Sequence, residues 1–178
     1  MRKPLTLTLI IIITIALIYG VSHYIDMQGF SFAWIINFLL MGCVLYFTET
    51  LKSPLTSAYY QEKAWEKKGK IYEYLGINIF RKILIWVGWE RLNKKSNPIR
   101  KNTQTLLQLH YRTKQSEFGH VIIFIIVLGF NILVAFKYGY NRSMWLLVLN
   151  ILLNLYPIFL QRYNRPRIER AINLSKRQ

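Results

Sequence analysis

Four long apolar blocks limit what this chain can become: residues 5–21, 29–47, 118–136 and 143–160. About 20 such residues cross a bilayer core of roughly 30 Å as one helix, because backbone groups in hydrocarbon must bond to each other. The chain holds only 18% charged residues, against about a quarter in a soluble domain. Its apolar residues cluster in the blocks instead of spreading at helical period. The expected fold is therefore all-α, a single membrane domain over 1–178 with about four transmembrane helices. Residues 48–117 form a cytoplasmic or interfacial segment and residues 161–178 a basic tail. The single cysteine, Cys43, has no internal disulfide partner.

Charge orients the spans. The 24 Lys and Arg against 8 Asp and Glu give a net charge of +16, and the basic residues flank the apolar blocks. Two precede the first block, fourteen lie between the second and third, two lie in the 137–142 connector, six follow the fourth, and the 22–28 connector has none. By the positive-inside rule the N-terminus, middle segment and C-terminus are cytoplasmic in a multi-pass cell-membrane protein. Basic residues beside spans point to anionic headgroups, not to nucleic acid. Arg2 and Lys3 before the first block also suit a signal peptide, but the block is long for one and is read as a retained anchor.

In the middle segment, Lys63, Lys67, Lys68 and Lys70 interleave with Glu62, Glu66 and Glu73 at spacings that suit surface pairs on a helix. The stretch 71–89 is apolar and aromatic but carries Arg81 and Lys82 near its centre. It is expected as an interfacial amphipathic helix, with Trp86 and Trp89 in the aromatic belt. Asn97-Pro98 should end that element, and a helix from Thr103 can feed the third span unbroken.

At that entry stand Glu117 and His120, three residues apart and so on one helix face, with Thr113, Lys114 and His110 on the turns before. Ionisable groups at the edge of a span mark a site. The plainer reading makes Glu117 a favourable first-turn acid and His120 a snorkelling side chain. Asn131 returns to the face of His120, and Asn150 and Asn154 share a face of the fourth block, all expected to point into the bundle. Pro157 predicts a kink there. Beyond it, Arg162, Arg165 and Arg167 suit phosphate, from a lipid headgroup or an acyl carrier, or form a stop-transfer cluster. Pro166 is expected to extend the chain just outside the bilayer.

Two motifs carry a resemblance. The run Pro157 to Arg167, centred on Gln161-Arg162-Tyr163-Asn164-Arg165-Pro166-Arg167, is similar to the C-terminal signature of the glycosyl-4,4'-diaponeurosporenoate acyltransferase family. Thr113-Lys114 followed by Glu117-x-x-His120 resembles a second signature of that family, and Asn154 falls at a matching position. The resemblance covers roughly residues 65–170. It implies O-acylation of a sugar hydroxyl on a glycosyl carotenoid or similar glycolipid, as in staphyloxanthin-type pigment synthesis. Under it, His120 is the general base and Glu117 orients it, stabilises the imidazolium or contacts the acceptor sugar. Lys114, Asn154, Asn164 or Arg165 supplies the oxyanion donor, and the arginine cluster holds a carrier phosphate. Thr113 and Lys114 join the substrate-binding set. No cofactor or metal is implied; the acyl donor, such as acyl-CoA or acyl carrier protein, is a co-substrate.

Two other functions compete. Glu-x-x-His is half of a di-iron motif, but such sites need a second copy plus two further carboxylates; no second Glu-x-x-His occurs here, and only eight acids are present. A non-catalytic membrane scaffold that binds anionic lipid would instead tolerate replacement of Glu117 and His120.

Overall fold

A computed structural model of the chain describes residues 2–88 and 102–177. It is 86% helical, with no strand among the described residues. In order the elements are α1 (Arg2–Tyr24), α2 (Phe30–Leu51), 3-10 turns at Ala58–Tyr60 and Ala64–Gly69, α3 (Ile71–Tyr74) and α4 (Ile77–Trp86). Then come α5 (Thr103–Tyr138), α6 (Tyr140–Asn150), a π-turn at Ile151–Leu155 and α7 (Tyr156–Ser175). Among the described residues, four helical stretches are long and apolar enough to cross a membrane: Lys3–Tyr24, Phe30–Leu51, Thr103–Tyr138 and Tyr140–Ser175. The chain is a membrane protein. Trp89 and Asn97-Pro98 lie outside the described residues.

The helices extend past the apolar blocks that announce them. α5 has 36 residues, roughly 54 Å at about 1.5 Å each, so it begins well before the block at 118 and continues through it unbroken. Between α5 and α6 the chain reverses at Gly139, whose φ of +92° suits a residue without a Cβ. The chain forms two compact units, one from the stretch ending at Pro54 with Phe118–Pro157, the other from Leu55–Glu117 with the residues from Ile158 onward.

The first unit is an apolar helix bundle. Its α1–α2 turn is set by Asp26, which accepts from the Gln28 N–H through its side chain and from the Gly29 N–H through its carbonyl. Phe32, Ala33, Ile36, Leu40 and Val44 of α2 interlock with Ile123, Val127 and Val134 of α5 and Leu146 and Leu149 of α6. Phe32 meets Phe130 edge-on at 5.8 Å between centroids. Ile18, Val21 and Ile25 pack against this core from the α1 side. Where a kink was expected ahead of Pro157, the helix widens into the π-turn, and the Tyr156 N–H reaches the Ile151 carbonyl. Such a turn is one way a helix accommodates an interrupted bonding ladder.

The second unit corrects two expectations. Pro166 does not extend the chain: it lies inside α7, with Asn164, Arg165 and Arg167 helical around it. Side-chain bonds from Arg165 to neighbouring elements outweigh the bias against helical geometry before proline. Nor do the interleaved lysines and glutamates form a helix with surface pairs. Lys67 and Lys68 are left-handed, with φ of 48° and 58°, and Glu66 is buried. The stretch after them breaks into α3 and α4; on α4, Ile77 and Phe80 are buried while Ile79, Ile83, Ile85 and Trp86 are exposed.

Gly69 closes this turn at φ +84°, and a Cβ there would sit 3.1 Å from the Tyr163 carbonyl oxygen. Both the backbone conformation and the close contact disfavour a side chain. Gly69→Ala is expected to lower stability by about 1–2 kcal/mol, the cost of a left-handed L-residue, read as a reduced unfolding midpoint in detergent. An unchanged midpoint would show that this turn does not constrain the fold.

Candidate functional site

In the first unit the chemistry gathers on side-chain amides. Asn37 of α2, Asn150 at the end of α6 and Asn154 in the π-turn are all buried. Asn37 donates from Nδ2 to the Ala33 carbonyl at 2.7 Å, and Asn150 donates to the Phe124 carbonyl at 3.0 Å. Each therefore presents its Oδ1 to Asn154, whose Nδ2 donates to Asn37 at 2.7 Å and to Asn150 at 2.8 Å. Asn154 is left facing His120 with Oδ1, 3.3 Å from Nδ1. An amide oxygen only accepts, so a hydrogen bond here requires the proton on Nδ1. In the neutral ring Nε2 then holds the free lone pair. Asn131, on the same face, donates to the Ser143 carbonyl at 2.8 Å and so ties α5 to the start of α6.

In the second unit the chemistry is ionic. Glu117 is fully buried, and both its oxygens are taken by guanidinium groups: Arg162 Nε at 2.7 Å on one, Arg165 on the other. Arg162 also donates to Glu66 at 2.9 Å and to the Tyr59 carbonyl at 3.0 Å. Arg165 bonds the Tyr60 carbonyl at 3.1 Å and Thr113 Oγ1 at 3.4 Å. The two guanidiniums lie 4.6 and 5.6 Å from the ring centres of Tyr59 and Tyr60. Arg167 lies apart, 3.6 Å over the Tyr163 ring and 3.1 Å from Glu73. His110 reaches Glu169 at 2.9 Å.

Burial alone would raise the Glu66 carboxyl. Donation from Tyr72, from the Lys63 N–H and from Arg162 outweighs burial and holds it below the usual carboxylate range. The Tyr72 phenol moves up, first by burial and then by the Glu66 charge it bonds at 2.5 Å.

Thus Glu117, Thr113, Arg162 and Arg165 come together in one cluster, and His120 and Asn154 in another. Lys114 and Asn164 are half-buried, and their side chains enter no hydrogen bond or ion pair among the described residues. Sequence reading missed Glu66, Tyr59, Tyr60 and Tyr72, which complete the ionic cluster, and Asn37, which completes the amide chain. For Asn37 one signal was present: a lone amide in an apolar block requires an internal partner.

Compared with known families, residues 56–174 match the model described as glycosyl-4,4'-diaponeurosporenoate acyltransferase. No curated protein and no solved structure matches the chain.

The ionic cluster generates two stability predictions. Removing Glu117 leaves two guanidiniums buried without their counter-charge, so Glu117→Leu is expected to cost about 3–5 kcal/mol. Adding Arg165→Met should recover part of that loss; no recovery would show that the pair is not coupled. Because Glu66 has a lowered folded pKa, its contribution is present above the ordinary carboxylate range and disappears as pH falls through the folded value. Glu66→Gln should therefore melt below wild type at neutral pH, and the gap should narrow on acidification. A gap that stays constant with pH would overturn the assignment.

Proposed function

The chain belongs to the glycosyl-4,4'-diaponeurosporenoate acyltransferase family, and from that membership we propose that it moves a fatty acyl group onto a sugar hydroxyl of a membrane-embedded glycosyl carotenoid. The observation that carries this reading is the family match over residues 56–174. A related glycolipid is the next acceptor by chemistry.

His120 is the general base in this reading. The acceptor hydroxyl gives its proton to Nε2 while its oxygen bonds to the carbonyl carbon of a thioester donor. The resulting oxyanion collapses, the carbon–sulfur bond breaks, and the proton passes from Nε2 to the departing thiolate. Support comes from the hydrogen bond between Nδ1 and Asn154, which leaves Nε2 unprotonated in the neutral ring. An orienting acceptor on Nδ1 is the part a carboxylate takes in a catalytic triad; here the acceptor is a neutral amide. Glu117 assists differently from an orienting acid: its charge balances Arg162 and Arg165 and fixes both guanidiniums. Lys114 and Asn164, with uncommitted polar groups, are the residues proposed to contact substrate. Arg167, partly exposed beside Glu73, is the arginine best able to meet a donor phosphate. The acceptor reaches the enzyme from the bilayer, and burying it with the acyl chain along the third and fourth spans would leave little water to compete for the acyl group. The basic flanks support a reading in which the N- and C-termini face the cytoplasm across the cell membrane.

Mass spectrometry of lipids and pigments from a deletion strain, complemented with wild type or His120→Ala, tests this. The expected result is loss of an acylated glycoside and accumulation of its unacylated parent, restored by wild type only. Unchanged lipids would overturn the transferase reading and leave a scaffold that binds anionic lipid. Full rescue by His120→Ala would overturn the base alone.

A further inference from the structure

We propose that Asn37 is a positioning residue for His120: it fixes the direction of the Asn154 amide, and so holds the imidazole with its proton on Nδ1. The proposal rests on the reading of His120 as base, but it concerns a different helix, and Asn37 lies outside residues 56–174, the part that matches the family.

The argument is one of direction. A buried amide can turn over, exchanging its oxygen and nitrogen, unless its neighbours accept only one orientation. The two ends of the amide chain are backbone carbonyls, at Ala33 and Phe124, and a carbonyl only accepts. Each end turns one NH2 group toward the backbone, which points the Oδ1 atoms of Asn37 and Asn150 at Asn154. Two acceptors then use both hydrogens of Asn154 Nδ2. Turning Asn154 over would set its oxygen against two oxygens in a water-poor interior, a juxtaposition costing two hydrogen bonds and adding lone-pair repulsion. It would also bring NH2 to His120 Nδ1, which would have to give up its proton, so that Nε2 became protonated in the neutral ring. The wrong tautomer removes the base. Asn150 sits four residues before Asn154 in the same helix, and the spacing alone brings it close. Asn37 must be delivered by α2, where it is completely buried.

The test uses the full-length protein in nanodiscs with 15N-labelled histidine, the His120 signals being identified by their loss in His120→Ala. Above the pH at which the ring charges, wild type should show a protonated Nδ1 and a bare Nε2. In Asn37→Leu, which removes the acceptor at similar volume, the ring signals should move toward the opposite tautomer. Turnover should fall about 10- to 100-fold with KM little changed, the size of loss typical of an outer positioning contact. Asn37→Ser, whose hydroxyl stops short of Asn154, should move the tautomer the same way and decides the matter if the leucine variant does not fold. An unshifted tautomer in the variant that folds overturns the proposal, as does a wild-type ring protonated on Nε2. Failure of the base reading is separate: it shows as acyl transfer retained by His120→Ala, whatever the ring signals do.

Discussion

A side-chain amide inside an apolar helix bundle can bond only to another part of the protein, and the first unit is built around that requirement. Water in a bilayer core is too scarce to satisfy it, and an unpaired amide there costs several kcal/mol by the order of magnitude of such transfers (about 4–8 kcal/mol into a solvent without hydrogen bonds). Asn37, Asn131, Asn150 and Asn154 each find a partner on another helix or one turn away. Apolar packing of Phe32, Ile36 and Leu40 against Val127, Val134 and Leu146 is tight but driven by a non-directional force. The amide bonds are directional. A shift of one turn would leave several polar groups unpaired, so they specify which helices meet and at what depth.

The second unit meets the same constraint with charge. Glu117 and Glu66 are buried carboxylates, and Arg162 and Arg165 bring guanidiniums whose planar forks reach both acids and the carbonyls of Tyr59 and Tyr60. Arginine suits this task better than lysine because several fixed donors leave one group in divergent directions. The segment carrying Tyr59 and Tyr60 has little regular structure of its own, only a three-residue 3-10 turn. Its backbone is held by α7 instead. Much of the motif that reads as a basic cluster is therefore internal: two of its three arginines pair with buried acids, and the third, Arg167, meets Glu73 at the surface.

The sequence was most legible where length and hydropathy speak. Four apolar blocks became four long helices, and the unbroken run from Thr103 into the third block was visible from the absence of breakers. Glu117 and His120 stood out because ionisable groups beside an apolar block are expensive. Their partners did not. Asn37 and Asn154 are 117 positions apart, and periodicity within one helix carries no information about which other helix supplies a bond. Glu66 stood among lysines in a pattern that suits an exposed face, and only a left-handed turn at Lys67 and Lys68 carries it inside. Pro166 was misread because a local preference of the backbone was weighed without the side-chain bonds that override it.

The amide chain behind His120 also has a consequence for the traffic of protons. Carboxylates, imidazoles and waters can pass a proton along; amides under ordinary conditions neither gain nor lose one. The chain from Asn154 through Asn37 and Asn150 ends on two backbone carbonyls, which do not ionise either. The ring is thus backed by an insulator, and along that chain there is no route of escape. With His120 as the proposed base, whatever it took up at Nε2 would have to depart from Nε2, so uptake and return would be tied to the same face of the imidazole. A group wired in this way resists draining protons across the membrane that surrounds it.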